Sequence, residues 1–128
     1  MFIEQPPWFY RALFPGVTWR IPAEPKCVYL TFDDGPIPEV TPWVLDILRS
    51  YGVKASFFMV GDNVRKHPDV YRMVLEAGHR IGNHTFNHIQ GIAFWTRHYL
   101  ANVEKAANYI PSDLFRPPHG HMRLPQVL

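Results

Sequence analysis

The 128-residue chain has little of three things: cysteine, long apolar runs and charge of one sign. Its single cysteine, Cys27, has no partner for a disulfide within the chain, and its apolar neighbours predict a buried position in a strand. No apolar stretch approaches the roughly 18 residues that a membrane-spanning helix needs. The net charge of +2 comes from interspersed charges of both signs, whereas a nucleic-acid-binding domain needs a concentrated basic face. We therefore expect no membrane span and no nucleic-acid partner.

The chain does have enough apolar sequence for a core, with 47% hydrophobic and 15% aromatic residues, and its length suits one domain or part of one. Residues 1–26 are rich in aromatic residues and proline, but they lack the basic start and continuous apolar segment of a signal peptide. We expect them to pack across the domain formed by residues 27–128. Because no export signal is visible, the cytoplasm is the default expectation for location.

Apolar strand patterns and amphipathic helix patterns alternate along residues 27–128. The strands are predicted at residues 27–32, 55–60, 79–83 and 114–116, and the helices at 42–51, 68–77 and 99–110. Thr41 is the predicted cap of the first helix, whose apolar face would consist of Trp43, Val44, Ile47 and Leu48. This order of elements predicts a parallel sheet with helices outside it.

Three polar motifs each follow the end of a predicted strand. They are residues 31–35 (TFDDG), residues 84–88 (HTFNH) and residues 116–120 (RPPHG). In parallel sheets and barrels, ligands bind at the carboxyl ends of the strands. The placement therefore predicts that the three motifs form one shared site.

The first motif places two carboxylates, Asp33 and Asp34, side by side at a strand end. Adjacent side chains project differently there, so one can bind a metal ion while the other stays free as a base. The same residues could also form only a turn and a helix cap. A cation beside Asp33 would keep that carboxylate ionised and oriented, and Arg116 is the candidate, although it could equally make an ordinary surface ion pair.

The second motif places two imidazoles, His84 and His88, four residues apart, so both can face one ion. Alone this is weak evidence, because seven histidines in the chain make such a pair easy by chance. The residue after His84 is Thr85 rather than glutamate, which disfavours a metalloprotease of the zincin type.

Taken together, the motifs resemble those of the polysaccharide deacetylases of carbohydrate esterase family 4, which share the NodB homology domain. Residues 31–35, 83–88 and 115–120 are similar to that family's first three motifs. Residues 55–61 and 77–83 also resemble the family, and the similarity covers about residues 27–122. The resemblance implies a distorted (β/α) barrel, of which the first four βα units would be present as a partial barrel.

The resemblance also implies a role for each motif residue. Asp33 would be the catalytic base, Arg116 would orient it, and the backbone N–H of His119 would stabilise the oxyanion. The metal ligands would be Asp34, His84 and His88, and the groove would be lined by Pro117, Pro118 and Gly120. The ion is expected to be Zn²⁺, although Co²⁺, Ni²⁺ and Mn²⁺ accept the same ligands. The implied activity is removal of N- or O-acetyl groups from a carbohydrate.

Two departures from the family pattern shape further expectations. His119 stands where the family more often carries an aromatic residue. The family's fourth and fifth motifs, which supply a general-acid histidine, would lie beyond Leu128. We therefore expect a truncated deacetylase domain with intact metal ligands, impaired turnover and an exposed sheet edge that favours homo-oligomers.

Two other functions stay open at this stage. One is a non-catalytic remnant that binds metal and carbohydrate without turnover, which the missing acid would favour. The other is a metal-dependent amidase on a small substrate, which a short groove without sugar-stacking aromatic residues would favour.

Overall fold

The computed structural model describes residues 6–22 and 26–127 as an α/β fold. Its helices and strands, in chain order, are α1 (Trp8–Ala12), β1 (Thr31–Asp33), α2 (Val40–Ser50), β2 (Ser56–Met59), α3 (Gly61–Lys66), α4 (Pro68–Glu76), β3 (Arg80–Asn83) and α5 (Thr96–Ala107). Three short 3₁₀ turns follow β3, at Gly91–Ala93, Pro118–Gly120 and Leu124–Gln126. No helix among the described residues is long and apolar enough to cross a membrane.

The three strands form the parallel sheet that the sequence predicts, and their order in it is β1-β2-β3. Phe32 is level with Phe57, which in turn is level with Ile81. The prediction of a fourth strand at residues 114–116 is corrected by the structure. Within the described residues, this segment forms only an isolated parallel bridge between Asn83 and Phe115. The described residues therefore contain three βα units rather than the predicted four, and a single bridge stands in the place of the fourth strand. Proline at positions 117 and 118 removes the N–H groups that a longer ladder would need.

The helix ends follow local signals. Helix α2 begins at Val40, so the prediction of Thr41 as its cap was wrong: Thr41 lies inside the first turn, where its hydroxyl accepts the Ile37 N–H at 2.9 Å. It ends at Ser50, and Gly52, whose φ of 62° suits glycine, follows as the predicted stop. Helix α4 begins at Pro68 and is closed by Gly78 at φ 77°, as predicted.

Helix α3 was not predicted, because Gly61 was expected only to close the second strand. Instead Gly61 begins the helix in a crowded position: a Cβ placed there would lie 2.7 Å from Phe86 Cδ2 and 3.1 Å from Ala106 Cα. Glycine lets the start of α3 approach both the loop after β3 and helix α5.

The core lies between one face of the sheet and the helices α2 and α4. It consists of Leu45, Leu48, Ala55, Phe57, Met59, Val64, Val74 and Ile110. The prediction that Trp43 and Ile47 belong to the buried face of α2 was wrong. Both are exposed, and Leu45 is buried in their place. Successive strand side chains point to opposite faces, so Phe58 lies on the other side of the sheet from Phe57 and Met59.

The prediction of a buried strand from Cys27 onward was wrong. The strand begins at Thr31, Cys27 is exposed, and Val28 is 83% exposed. An apolar run is buried only where a second layer covers it, and no described element covers residues 27–30 on β1's free side. The division at residue 26 stays a prediction, although Phe14 of the first segment is buried and Gly16 lies against Val127.

Candidate metal centre

Asp34, His84 and His88 come together where the first and third strands end. The Oδ1 atom of Asp34 lies 3.3 Å from His84 Nε2 and 3.0 Å from His88 Nε2. The candidate ligand atoms of the three residues all lie within 4.8 Å of one another. Two ligand atoms at about 2.0–2.1 Å from a tetrahedral Zn²⁺ would be about 3.4 Å apart. The spacing and the donor types therefore fit one divalent ion.

The ring of His84 is set up to offer one particular nitrogen. Its Nδ1 lies 2.7 Å from the carbonyl oxygen of Arg116, which accepts the ring N–H and leaves Nε2 facing Asp34. Burial lowers the pKa of His84, only partly opposed by the Arg116 carbonyl and by the charges of Asp33 and Asp34. The ring is thus held in the neutral form that a metal ion requires.

Both ligand-bearing loops use backbone conformations that are uncommon for residues with side chains. Asp34 has a φ of 72°, Thr85 67° and His88 55°. Asn83 Oδ1 accepts the Thr85 N–H at 2.8 Å, and the Thr85 hydroxyl accepts the Ile89 N–H at 3.2 Å. These side-chain contacts hold the loop that directs His84 and His88 toward Asp34.

Asp33 points to a different partner from its neighbour. The guanidinium of Arg116 donates to Asp33 Oδ1 at 2.8 Å and to the Thr31 hydroxyl at 2.9 Å. The same guanidinium stacks on Phe58, 4.1 Å from the ring centroid. The two adjacent carboxylates therefore have different partners. Asp34 lies beside two imidazoles, and Asp33 is bound to the guanidinium of Arg116.

The third motif forms a tight turn beside His88. Pro118–Gly120 is a 3₁₀ turn, preceded by Pro117, and His119 has a left-handed φ of 58°. The His119 ring lies 5.0 Å from the His88 ring, and the His119 N–H makes no hydrogen bond within the described residues. That N–H is free to bind an oxygen atom of a ligand at the edge of the site.

An open cleft of about 350 Å³ borders Asp34 and His88. It is lined by Asp34, Val60, Asp62, Asn63, Asn87 and His88. Asp62 is paired with Arg65 and Lys66, which lower the pKa of its carboxyl through hydrogen bonds. The cleft therefore combines an apolar wall with amide and carboxylate groups, as sites for small polar ligands do.

The structure brings Asp33, Asp34, His84, His88 and Arg116 together and places the His119 ring beside that of His88. The predicted groove residues differ: Pro117, Pro118 and Gly120 do not line the described cleft, and the Pro118 side chain is fully buried.

The sequence analysis also missed several supporting residues. Asn102 Oδ1 accepts the N–H groups of Phe86 and Asn87, at 2.8 and 3.0 Å, from helix α5. Asn63 donates to the carbonyl of Asp34. Neither asparagine adjoins a motif, and only the fold brings them to it.

Known proteins include relatives of this chain. Residues 20–125 match the family model described as polysaccharide deacetylase. The chain belongs to this family. Within it, the peptidoglycan-N-acetylglucosamine deacetylase of Bacillus cereus is 42% identical over 120 residues, covering 83% of this chain and 52% of that protein. The chitooligosaccharide deacetylase of Azorhizobium caulinodans is 45% identical over 73 residues, covering 57% of this chain and 35% of that protein.

A solved structure gives the same result for the fold. The Bc1960 peptidoglycan N-acetylglucosamine deacetylase, in complex with a hydroxamate-type benzamide, superimposes with a TM-score of 0.73 at 34% identity. The match covers 83% of this chain and 52% of that one. The chain thus shares the fold of the family 4 carbohydrate esterases over most of its length, and it spans about half the length, or less, of the relatives named here.

Proposed function

We propose that this chain carries the metal site and the general base of a deacetylase that removes N-acetyl groups from a glycan containing N-acetylglucosamine. One observation carries the proposal: Asp33, held by Arg116 at 2.8 Å, lies next to the cluster of Asp34, His84 and His88. A free base beside a metal site is the arrangement that hydrolysis by an activated water requires. Relatives of this family that act on N-acetylglucosamine polymers support the choice of substrate.

The ligand set favours Zn²⁺ as the ion. One carboxylate and two imidazoles leave open positions for water and substrate, as in catalytic zinc sites. When bound, the ion would supply Lewis acidity and lower the pKa of a water molecule to about 7. Asp34 Oδ1 and the Nε2 atoms of His84 and His88 would hold it.

Asp33 would act as the general base. The Arg116 guanidinium donates to Asp33 Oδ1, which fixes the orientation of the carboxylate without taking both oxygens. The free oxygen would accept the proton of the water that attacks the acetyl carbonyl. The guanidinium of Arg116 also lies over the Phe58 ring, which limits its movement away from this contact.

The turn of the third motif would stabilise the charge that develops. The His119 N–H would donate to the oxygen of the tetrahedral intermediate, and this role depends on the backbone alone. Pro117 and Pro118 restrict the turn; Pro117 and Gly120 would form one wall of the groove, whereas the Pro118 side chain is fully buried. Collapse of the intermediate would break its C–N bond and release acetate, and the leaving amine would take up the proton that Asp33 accepted from the water or one from solvent.

The decisive experiment measures acetate release from N-acetylglucosamine oligomers and from peptidoglycan, using the Zn²⁺-loaded protein, with Asp33→Asn as the matched control. We expect acetate release from wild type that falls at least 10²-fold in the control. Glycan binding without any release would instead identify the chain as a non-catalytic metal- and carbohydrate-binding domain. Release from small acetamides but not from glycans would identify an amidase. If His84→Ala retains as much metal as wild type, the assigned metal site is wrong.

A further inference from the structure

Helix α3 connects the two loops that carry the metal ligands. The N–H groups of Gly61 and Asp62 donate to the backbone carbonyls of Thr85 and Phe86, each at 3.0 Å. These carbonyls belong to the loop that holds His84 and His88. The first turn of α3 is thus hydrogen-bonded to the loop after β3, although it follows β2 in the chain.

The same turn is bonded to the loop after β1. The Val60 N–H donates to the Gly35 carbonyl at 2.9 Å, and the side-chain amide of Asn63 donates to the Asp34 carbonyl at 2.8 Å. Asp34 is the residue whose backbone has the left-handed φ of 72°. A residue other than glycine stays in the left-handed region when its surroundings hold it there.

We propose that Asn63 is a positioning residue of the metal centre, holding the left-handed backbone of Asp34 so that its carboxylate faces His84 and His88. The inference rests on the metal site of the proposed function. Fixing the Asp34 carbonyl fixes the peptide plane that follows its Cα atom, and with it the direction of the side chain. Asn63 lies on the same helix that binds the histidine loop, so one element sets the distance between both sets of ligands.

The competing explanation is that the Asn63 amide only stabilises the fold. In that case its loss would lower the stability of the metal-free protein and leave the affinity of the folded protein for metal unchanged. A positioning role predicts the opposite result: the metal-free protein keeps its fold, whereas its affinity for metal and the geometry of metal coordination change. Loss of groups that orient metal ligands typically weakens metal binding by about 10- to 100-fold.

The test compares wild type with Asn63→Leu, which removes the amide while keeping a similar volume at a half-buried position. Asn63→Ala is the second variant, because it only removes atoms. Asn108→Leu, at the exposed end of α5, is the matched control. Each metal-free protein is titrated with Zn²⁺ by calorimetry and with Co²⁺ by visible absorption, and its folding is checked by circular dichroism.

We expect both Asn63 variants to fold, to bind Zn²⁺ about 10- to 100-fold more weakly, and to give an altered Co²⁺ spectrum, while Asn108→Leu matches wild type. Wild-type affinity and spectrum in a folded Asn63 variant would overturn the inference alone. Failure of both variants to fold would also overturn it, since the amide would then belong to the fold. Absence of metal binding in wild type would remove the proposed function itself.

Discussion

At the scale of single residues, two neighbouring carboxylates have different surroundings. Asp33 contacts the guanidinium of Arg116, and Asp34 contacts the Nε2 atoms of two histidines. We predict that Asp33→Asn keeps the metal ion but loses about 10² to 10⁴ in rate, the usual effect of removing a general base. We predict that Asp34→Asn weakens metal binding itself. Metal content by elemental analysis, together with acetate release, checks both; the opposite pattern would mean that the two roles are exchanged.

A second residue-scale prediction concerns pH and His79. Burial, helped by the charge of Lys54, lowers the pKa of His79, whose Nδ1 accepts the Ala55 N–H at 3.1 Å. The unfolded chain, with a histidine pKa of about 6.5, then binds more protons than the folded chain as the pH falls below that value. The contribution of neutral His79 to the free energy of unfolding is therefore fully present above about pH 6.5. It is lost progressively as the pH falls from there through the lowered pKa of the folded state.

The measurement is urea unfolding of the metal-free protein between pH 7.5 and pH 5, with His79→Gln as the comparison. The pH dependence should be shallower in the variant, which does not titrate there. It should not vanish, because the lowered pKa of His84 acts with the same sign. Equal slopes in the two proteins would contradict the prediction.

Asp34 and His84 could be predicted as candidate metal ligands because each directly follows a strand, where the side chains of a parallel sheet converge, and His88 because it lies four residues after His84. Phe58 and Asn63 could not be assigned to the site in this way. Phe58 reads as one more apolar strand residue, and only the face it occupies puts it under Arg116. In the sequence, Asn63 resembles an ordinary polar loop residue. Only the structure shows that it lies on helix α3 and that its side chain reaches the Asp34 carbonyl.

At the scale of elements, helix α3 depends on close approach at its first residue. A Cβ at position 61 would lie 2.7 Å from Phe86 Cδ2 and 3.1 Å from the Ala106 backbone. We predict that Gly61→Ala destabilises the fold by about 1–3 kcal/mol, the typical cost of overpacking. Gly16→Ala is the control, since its Cβ would make only an ordinary 3.5 Å contact with Val127. Denaturant unfolding measures both, and a near-neutral Gly61→Ala would contradict the prediction.

The elements that the sequence predicted well are those bounded by strong local signals. Pro68 begins α4, and Gly52 and Gly78 follow the ends of α2 and α4. Helix α3 has only six residues and no apolar period long enough to recognise. The fourth strand was overestimated because the apolar pattern of residues 114–116 does not show that the chain turns away after a single bridge.

At the scale of the whole molecule, strand β1 forms one edge of the sheet. Within the described part of the chain it pairs only with β2, whereas a strand in a closed barrel has neighbours on both sides. Large apolar side chains are exposed just before it, where Val28 is 83% and Tyr29 56% exposed. An open edge with apolar flanks is a template for pairing with a second chain.

We therefore predict that the 128-residue chain self-associates as its concentration rises. Introducing lysine at the edge, as Val28→Lys with Leu30→Lys, should shift it toward the monomer, since edge charges oppose pairing. Leu124→Lys adds a charge at another exposed apolar position, on a segment that Gln126 ties to Gly91 beyond β3, and should leave association unchanged. Sedimentation velocity over a range of concentrations separates these outcomes. A wild-type chain that stays monomeric throughout, or a Leu124→Lys variant that dissociates as readily as the edge variant, would show that β1 is not the contact. Because the edge residues lie outside the metal centre, Zn²⁺ affinity should be the same in all three proteins.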